Sequence, residues 1–443
     1  LVAARLLREA KDRLGDKPVE VILLGERDEL SADATINFER LSGDPPRSFD
    51  ADLIGRAGVI VDAMLGTGAS GAPSGVIADA VAAVNRSATA RVIAIDIPTG
   101  VDGSTGVVAG EAVHADLTIS LHLPKVGQFV APGLFHCGEL RVADIGIPSD
   151  AMAAAHVEPA AGTIDAHVLR EVPRRSDESS KFSSGVLSIV GGSTGLTGAP
   201  CLAAMAAQRT GAGYVTVMVP ASLNLVFEQR LIEVMSLPLP DRDGALTADG
   251  LPTVLERLAR SDALVVGPGI GRTDATREMV RSLLARSELP LLLDADGLFA
   301  FNGEIEGLRR DAPTVITPHD GELARLLGVG SDEVRTHRLE LAGEAARRSG
   351  AVVVLKGSDT IVADPAGPPL VNTLRAPGLA TAGTGDVLAG MIGAYLAKGL
   401  DPRHAAAAGV YAHSLAGREA SERCGADQMI ASDVIAALPA VLS

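Results

Sequence analysis

The sequence predicts two α/β layer domains in succession. Short apolar runs recur along the chain, separated by stretches with helical periodicity. Many runs are continuous rather than alternating, the pattern of strands covered on both faces, and sheets of that kind are parallel. The chain has 443 residues, more than one ordinary domain holds.

In chain order, residues 1–14 read as a helix and Val19–Leu24 as a strand ending at Gly25. Val59–Val61 leads into Asp62-Ala63-Met64-Leu65-Gly66-Thr67-Gly68, and Ile77–Val84 is helical. Val92–Ile95 leads into Asp96-Ile97-Pro98-Thr99-Gly100, with later strands at Leu117–Leu121 and Leu140–Ile145. Asp62 and Asp96 thus fall at carboxyl ends of strands, where open α/β sheets bind ligands. Small residues between Pro148 and Gly162 mark a boundary, which gives domains 1–155 and 163–443. The polar stretch Arg174–Ser184 reads as an exposed loop. Strands follow at Val186–Val190, Val215–Val219, Ala263–Val266, Leu291–Leu293, Val315–Thr317 and Val352–Leu355, with an Ala-rich helix at Pro200–Arg209. Leu1 opens in mid-helix with no capping residue before it, so upstream residues are expected.

Composition narrows the function classes. The formal charge is −16, with no basic cluster, which argues against nucleic acid and anionic membrane as partners. Trp is absent and aromatics are 2%, so stacking platforms for single strands are not expected. No apolar run reaches the roughly 20 residues of a membrane span. Cys137, Cys201 and Cys424 share no metal-type spacing and fit reduced cytoplasmic thiols.

The turn Gly378-Leu379-Ala380-Thr381-Ala382-Gly383-Thr384-Gly385-Asp386 carries the sharpest chemistry. Small residues before an apolar helix point backbone N–H groups at one spot, and the helix dipole adds positive charge there. Asp386, in the first helical turn, can take a proton from an attacking hydroxyl. An anion hole beside a base is the minimum for phosphoryl transfer to an alcohol.

Further motifs precede this turn in a fixed order: Gly198-Ala199, Gly267-Pro268-Gly269-Ile270-Gly271, Asp294-Ala295-Asp296, Thr317-Pro318-His319-Asp320-Gly321-Glu322 and Lys356-Gly357-Ser358-Asp359-Thr360. This set resembles the ADP/ATP-dependent NAD(P)H-hydrate dehydratases of the ribokinase-like superfamily. The N-terminal motifs VDAMLGTG, DIPTGVDG and LHLPKVGQFVAPG resemble the NAD(P)H-hydrate epimerase domain, a Rossmann-like three-layer fold. The resemblance spans nearly the whole chain. It implies a cytoplasmic, homo-oligomeric repair enzyme that acts on NADHX and NADPHX, with ADP or ATP, Mg2+ and K+. Asp386 is then the catalytic base, and it also contacts substrate. Gly385 lies at the nucleotide phosphates, and Lys356, Gly357, Ser358, Asp359 and Thr360 bind the nucleotide. Ala199, His319 and Gly271, with Gly269 next, hold the hydrated dinucleotide. In the N-terminal domain Asp62 and Thr99 are implied K+ ligands. Gly66, Thr67, Gly68, Ala69, Ser70, Gly71 and Ala72 form the substrate phosphate loop, and Asp96 is the catalytic, substrate-binding carboxylate.

The residues alone leave some roles open. His319 can instead satisfy backbone groups of a turn, and Lys125 either approaches the site or lies on the surface. Of Asp294 and Asp296, at most one is expected to face the cleft. The epimerase family carries a strand and a GxGNNGGDG-like loop just ahead of the opening helix. The sequence begins after that point, which implies impaired epimerisation. Ala382 stands where the dehydratase family often has Gly, and Arg375-Ala376 where Gly-Asn is common. Two other readings use the same residues: a vitamin-precursor kinase of the superfamily, and a nucleotide sensor with a vestigial N-terminal site.

Overall fold

The computed structural model describes residues 1–10, 18–148 and 150–443. Two compact units divide between Glu158 and Pro159.

The first unit contains a four-stranded, all-parallel sheet in the order β1 (Val59–Asp62), β2 (Arg91–Ile95), β3 (Leu117–Leu121), β4 (Glu139–Ala143). The helix Gly75–Arg86 connects β1 to β2, with Val81 and Val84 packed in one cluster with Val92 and Val113. The opening helix runs Val2–Glu9; the part expected beyond Ala10 lies outside the described residues. The strand expected at Val19–Leu24 is reduced to a single bridge, Ile22 to Arg47. Arg47 N donates to Val21 O (2.8 Å) and accepts from Leu23 N through its carbonyl (2.9 Å). Pro45 and Pro46 precede Arg47, and neither has an N–H with which to extend the ladder.

The second unit is built on a ten-stranded sheet in the order β5 (Gly162–Ile164), β16 (Leu370–Asn372), β15 (Ile361–Ala363), β14 (Val352–Leu355), β13 (Thr314–Ile316), β12 (Leu291–Leu293), β11 (Ala263–Val266), β6 (Val186–Val190), β7 (Tyr214–Pro220), β8 (Met235–Leu239). The seven strands from β14 to β8 are parallel, and β15 and β16 join antiparallel. A small hairpin, β9 (Asp241–Arg242) with β10 (Ala245–Leu246), lies apart. β6, β11, β12, β13 and β14 are buried along their whole length, which is why their sequences run apolar without alternation.

Two helices set the position of the glycine turn. Gly198–Arg209 and Thr384–Ala397 pack together with almost no side chain between them. A Cβ on Gly390 would stand 2.0 Å from the Ala203 carbonyl oxygen, so glycine is what permits the approach. Among the described residues no helix is long and apolar enough to cross a membrane.

Candidate active sites

Five adjacent parallel strands of the large sheet end at one rim. The chain leaves them at Gly191 after β6, Gly267 after β11, Asp294 after β12, Thr317 after β13 and Lys356 after β14. Lys356 is the centre of the cluster. Its Nζ lies 3.0 Å from Asp294 Oδ1 and 3.8 Å from Glu322 Oε2. A Cβ on Gly385 would stand 3.6 Å from the same Nζ, so strand and glycine turn meet at this ammonium. Burial works against the Lys356 charge, yet Asp294 and Glu322 outweigh it and hold the pKa above its ordinary value.

Asp386 lies in the first turn of Thr384–Ala397, behind Gly383 in the left-handed region (φ 90°). Burial raises its pKa to about 7, and the charge of Asp294 adds to the effect while Lys356 opposes it. A carboxylate poised near neutrality is suited to act as a general base. The charge of Asp296 acts in the same direction as the smallest contribution. Strand alternation ends at Leu293, and Ala295 adopts φ 50°, which redirects the chain. Asp294 is buried and accepts from Thr317 Oγ1 (2.6 Å); Asp296 pairs with Arg272 (2.6 Å). Ala382 is not in the left-handed region, so its methyl is accommodated.

His319 caps the helix Asp320–Leu327. Its Nδ1 accepts from Gly321 N (3.0 Å) and Glu322 N (3.3 Å), and Glu322 returns a bond to His319 N (2.9 Å). The turn-satisfying role is therefore real, and it does not exclude the other. With Nδ1 an acceptor, the neutral ring carries its proton on Nε2, a donor on a ring 55% exposed. Burial keeps the His319 pKa below its ordinary value, so the ring is neutral at pH 7. Ala199, Gly269 and Gly271 come together through interlocking turns. A Cβ on Gly269 would stand 3.2 Å from Ala199 Cβ, and Gly271 faces Ser193.

In the nucleotide segment, Gly357 and Ser358 are exposed, but the Asp359 side chain is buried. Arg338, from the helix Arg338–Ser349, binds Asp359 Oδ2 (3.0 Å), the Lys356 carbonyl (3.2 Å) and Asp320. One guanidinium thus joins the Lys356–Thr360 segment to the residue next to His319. No sequence signal marks Arg338; it is one of three arginines in its helix. Arg338→Met should raise the nucleotide KM about tenfold and lower stability by about 3 kcal/mol, since it strips the cation from a buried carboxylate. Nucleotide titration of the rate and thermal melts check both.

In the first unit, Asp62 is the last residue of β1 and is buried. It accepts from Thr99 N (2.7 Å), Thr99 Oγ1 (2.7 Å) and Met64 N (3.3 Å). The two implied K+ ligands are therefore bonded to each other. Burial raises the Asp62 pKa, and only neutral donors oppose it. A buried carboxylate with hydrogen-bond donors but no cation among these partners suits a monovalent cation. A cavity of about 50 Å³ is lined by Gly66, Ala69, Ser70, Gly71, Thr99 and Gly100 among others. Thr67, Gly68 and Ala72 lie just outside its lining.

Asp96 adopts φ 70°, a left-handed backbone unusual for a residue with a side chain. Gln128 Nε2 donates to its carbonyl (2.6 Å), Leu121 N donates to its carboxylate (3.0 Å), and the Lys125 ammonium bonds the same carboxylate oxygen. Lys125 is thus a partner of Asp96, not a plain surface lysine. Strained backbone held by several bonds is typical of functional positions.

The second unit is a ribokinase-like α/β fold with a carboxylate at a glycine-led helix N-terminus, following a Rossmann-like unit. Residues 187–440, over half the chain, match the NAD(P)H-hydrate dehydratase family, and residues 1–127 match the family described as YjeF-related protein N-terminus. The bifunctional NAD(P)H-hydrate repair enzyme of Moorella thermoacetica is 40% identical over 436 residues, covering 96% of this chain and 82% of that one. The protein of the same name from Salinibacter ruber is 39% identical, with the same coverage. A solved ADP/ATP-dependent NAD(P)H-hydrate dehydratase from Bacillus subtilis, co-crystallised with ATP/Mg2+, superposes with a TM-score of 0.54 at 29% identity. It covers 63% of this chain and 97% of its own. This chain belongs to the bifunctional NAD(P)H-hydrate repair enzyme family.

Proposed function

We propose that the second unit dehydrates (6S)-NADHX and (6S)-NADPHX with ADP or ATP, and that the first unit interconverts the R and S hydrates. One observation carries the dehydratase assignment: the Asp386 carboxyl, raised to about 7, stands within electrostatic reach of Lys356 at a glycine-led helix N-terminus. Asp386 takes the proton from the C6 hydroxyl of the hydrated ring as that oxygen attacks the terminal phosphorus of the nucleotide and the P–O bond to the departing AMP or ADP breaks. Lys356 and the N–H groups around Gly385 neutralise charge on the transferring phosphoryl group. Phosphate then departs from C6 as a proton leaves C5, and the ring double bond returns. Water is a poor leaving group and phosphate a good one, which is why a nucleotide is consumed. His319 Nε2–H, Ala199 and the Gly269–Gly271 turn hold the dinucleotide.

Mg2+ would lie on the nucleotide phosphates, beside the negative charge of Asp294, Asp296 and Asp386. In the first unit Asp62 and Thr99 would hold K+, where it compensates the buried carboxylate. Asp96, with Lys125, would move the proton during epimerisation, and Gly66–Ala72 would cradle the substrate phosphate. We place the enzyme in the cytoplasm as a homo-oligomer.

The direct test mixes protein, nucleotide and hydrated NADH. Recovery of near-ultraviolet absorbance with release of free phosphate supports dehydration; a stable phosphorylated product with no absorbance gain would make this a kinase. Lys356→Ala should weaken nucleotide binding more than hydrate binding in calorimetric titration. Lys125→Met should slow R-to-S conversion about 10²-fold, the loss typical of a general acid–base group, and leave the dehydratase rate unchanged.

A further inference from the structure

A cavity of about 510 Å³ opens in the second unit, lined by Arg174, Arg175, Arg209 and Lys398 beside Leu169 and Leu442. That volume falls within the roughly 300–1,000 Å³ typical of small-molecule sites. Lys398 follows the C-terminal end of the helix Thr384–Ala397, whose first turn holds Asp386. The helix is 14 residues long, so about 20 Å separates its two ends. The cavity is distinct from the catalytic cluster.

Two of the cations converge on one glycine. Arg175 Nη2 lies 3.5 Å from the Gly211 carbonyl oxygen and 3.4 Å from that of Ala212. A Cβ on Gly211 would stand 3.1 Å from Lys398 Nζ. Among the described residues, none of the four cations has a carboxylate within 4.0 Å. Glu171, three residues before Arg174, pairs with His404 instead. Burial, then the charges of Arg175 and Arg174, push the Lys398 pKa below its ordinary value. Arg209 and Lys398 do complement the ends of their helices, but each end carries only about half a charge, against four positive side chains. Four positive side chains in a cavity that no acidic side chain lines are the complement of a multivalent anion.

We propose that this cavity binds a small organic phosphate, with its phosphate on Arg175 and Lys398 and its carbon skeleton on Leu169 and Leu442. Occupancy neutralises the mutual repulsion and braces the far end of the catalytic helix, so the ligand is a candidate regulator of the dehydratase.

The probe is phenyl phosphate, with inorganic phosphate for comparison, titrated calorimetrically into the full chain and three variants. Phenyl phosphate should bind the wild type more tightly than inorganic phosphate. Its affinity should fall about tenfold in Lys398→Met and in Arg175→Met, and stay unchanged in Lys356→Ala. Lys398→Met should melt no lower than the wild type, because it removes a like-charge contact. Absence of saturable binding would overturn the proposal. So would binding lost in Lys356→Ala and kept in Lys398→Met, which would put the phosphate in the catalytic cluster. Equal affinity for inorganic phosphate would overturn the assignment to an organic ligand.

Discussion

Asp386→Asn should abolish nucleotide-dependent dehydration, by about 10²–10⁴-fold, the loss expected for a positioned base. The amide keeps the shape and removes the capacity to take a proton. In the wild type, kcat/KM should rise with pH and level off above about 7, where the Asp386 carboxyl ionises. The variant should lose that inflection. The sign of the stability effect follows from the same displacement. A carboxyl whose pKa is raised by folding stays protonated in the native state over a range where the unfolded chain has released the proton. Ionised Asp386 therefore costs stability as pH climbs from the ordinary carboxylate range to about 7. Asp386→Asn should melt at or above the wild-type temperature at pH 8, with no such gain at pH 4. Near-wild-type turnover in the variant would remove Asp386 from the mechanism. A lowered melting temperature at pH 8 would mean that the side chain holds the fold instead.

Much of the second site was legible because its residues follow strand ends, and strand ends are what continuous apolar runs mark. Lys356 and His319 stand one or two residues beyond such a run, and the glycine turn opens an apolar helix. Legibility failed where a role depends on a partner far away in sequence. Asp294 reads as a turn residue until Lys356, 62 positions later, bonds it. Arg338 carries no mark in the sequence, and only the fold lays Asp320 and Asp359 against it. Asp359 reads as a ligand contact within its segment, and its burial beside Arg338 is not visible in the sequence. In the first unit the Asp62 and Asp96 turns were legible, while Lys125 and Gln128 acquire their function only through the loop that folds them back onto Asp96. The strand read at Val19–Leu24 failed for a local reason, because its partner segment begins with two prolines.

Gly267→Ala should be the most damaging single methyl in the dehydratase unit. Gly267 adopts φ 125°, a region that residues with a Cβ rarely enter. Its added carbon would stand 1.9 Å from the Asp294 carbonyl oxygen, 2.9 Å from the Asp294 carbonyl carbon and 3.0 Å from Gly297 N. All three are backbone contacts, so no side chain can swing aside. Backbone strain of about 1–3 kcal/mol adds to overpacking of about 1–3 kcal/mol. Relief must come from displacement of the Asp294 turn, and that turn holds Lys356 and, after burial, adds to the rise of the Asp386 pKa. The expected result is a fall in melting temperature of about 10 °C, at roughly 2–4 °C per kcal/mol for a unit of this size. The surviving folded protein should dehydrate at least about tenfold more slowly, with its pH inflection moved below about 7, since a displaced Asp294 no longer raises the Asp386 pKa. R-to-S conversion measured on the same sample serves as the internal control, because the epimerase residues lie in the other compact unit. Unchanged melting, rate and pH profile together would mean that the rim between β11 and β12 yields freely, and that the Asp294–Lys356–Asp386 cluster is not held by this close approach.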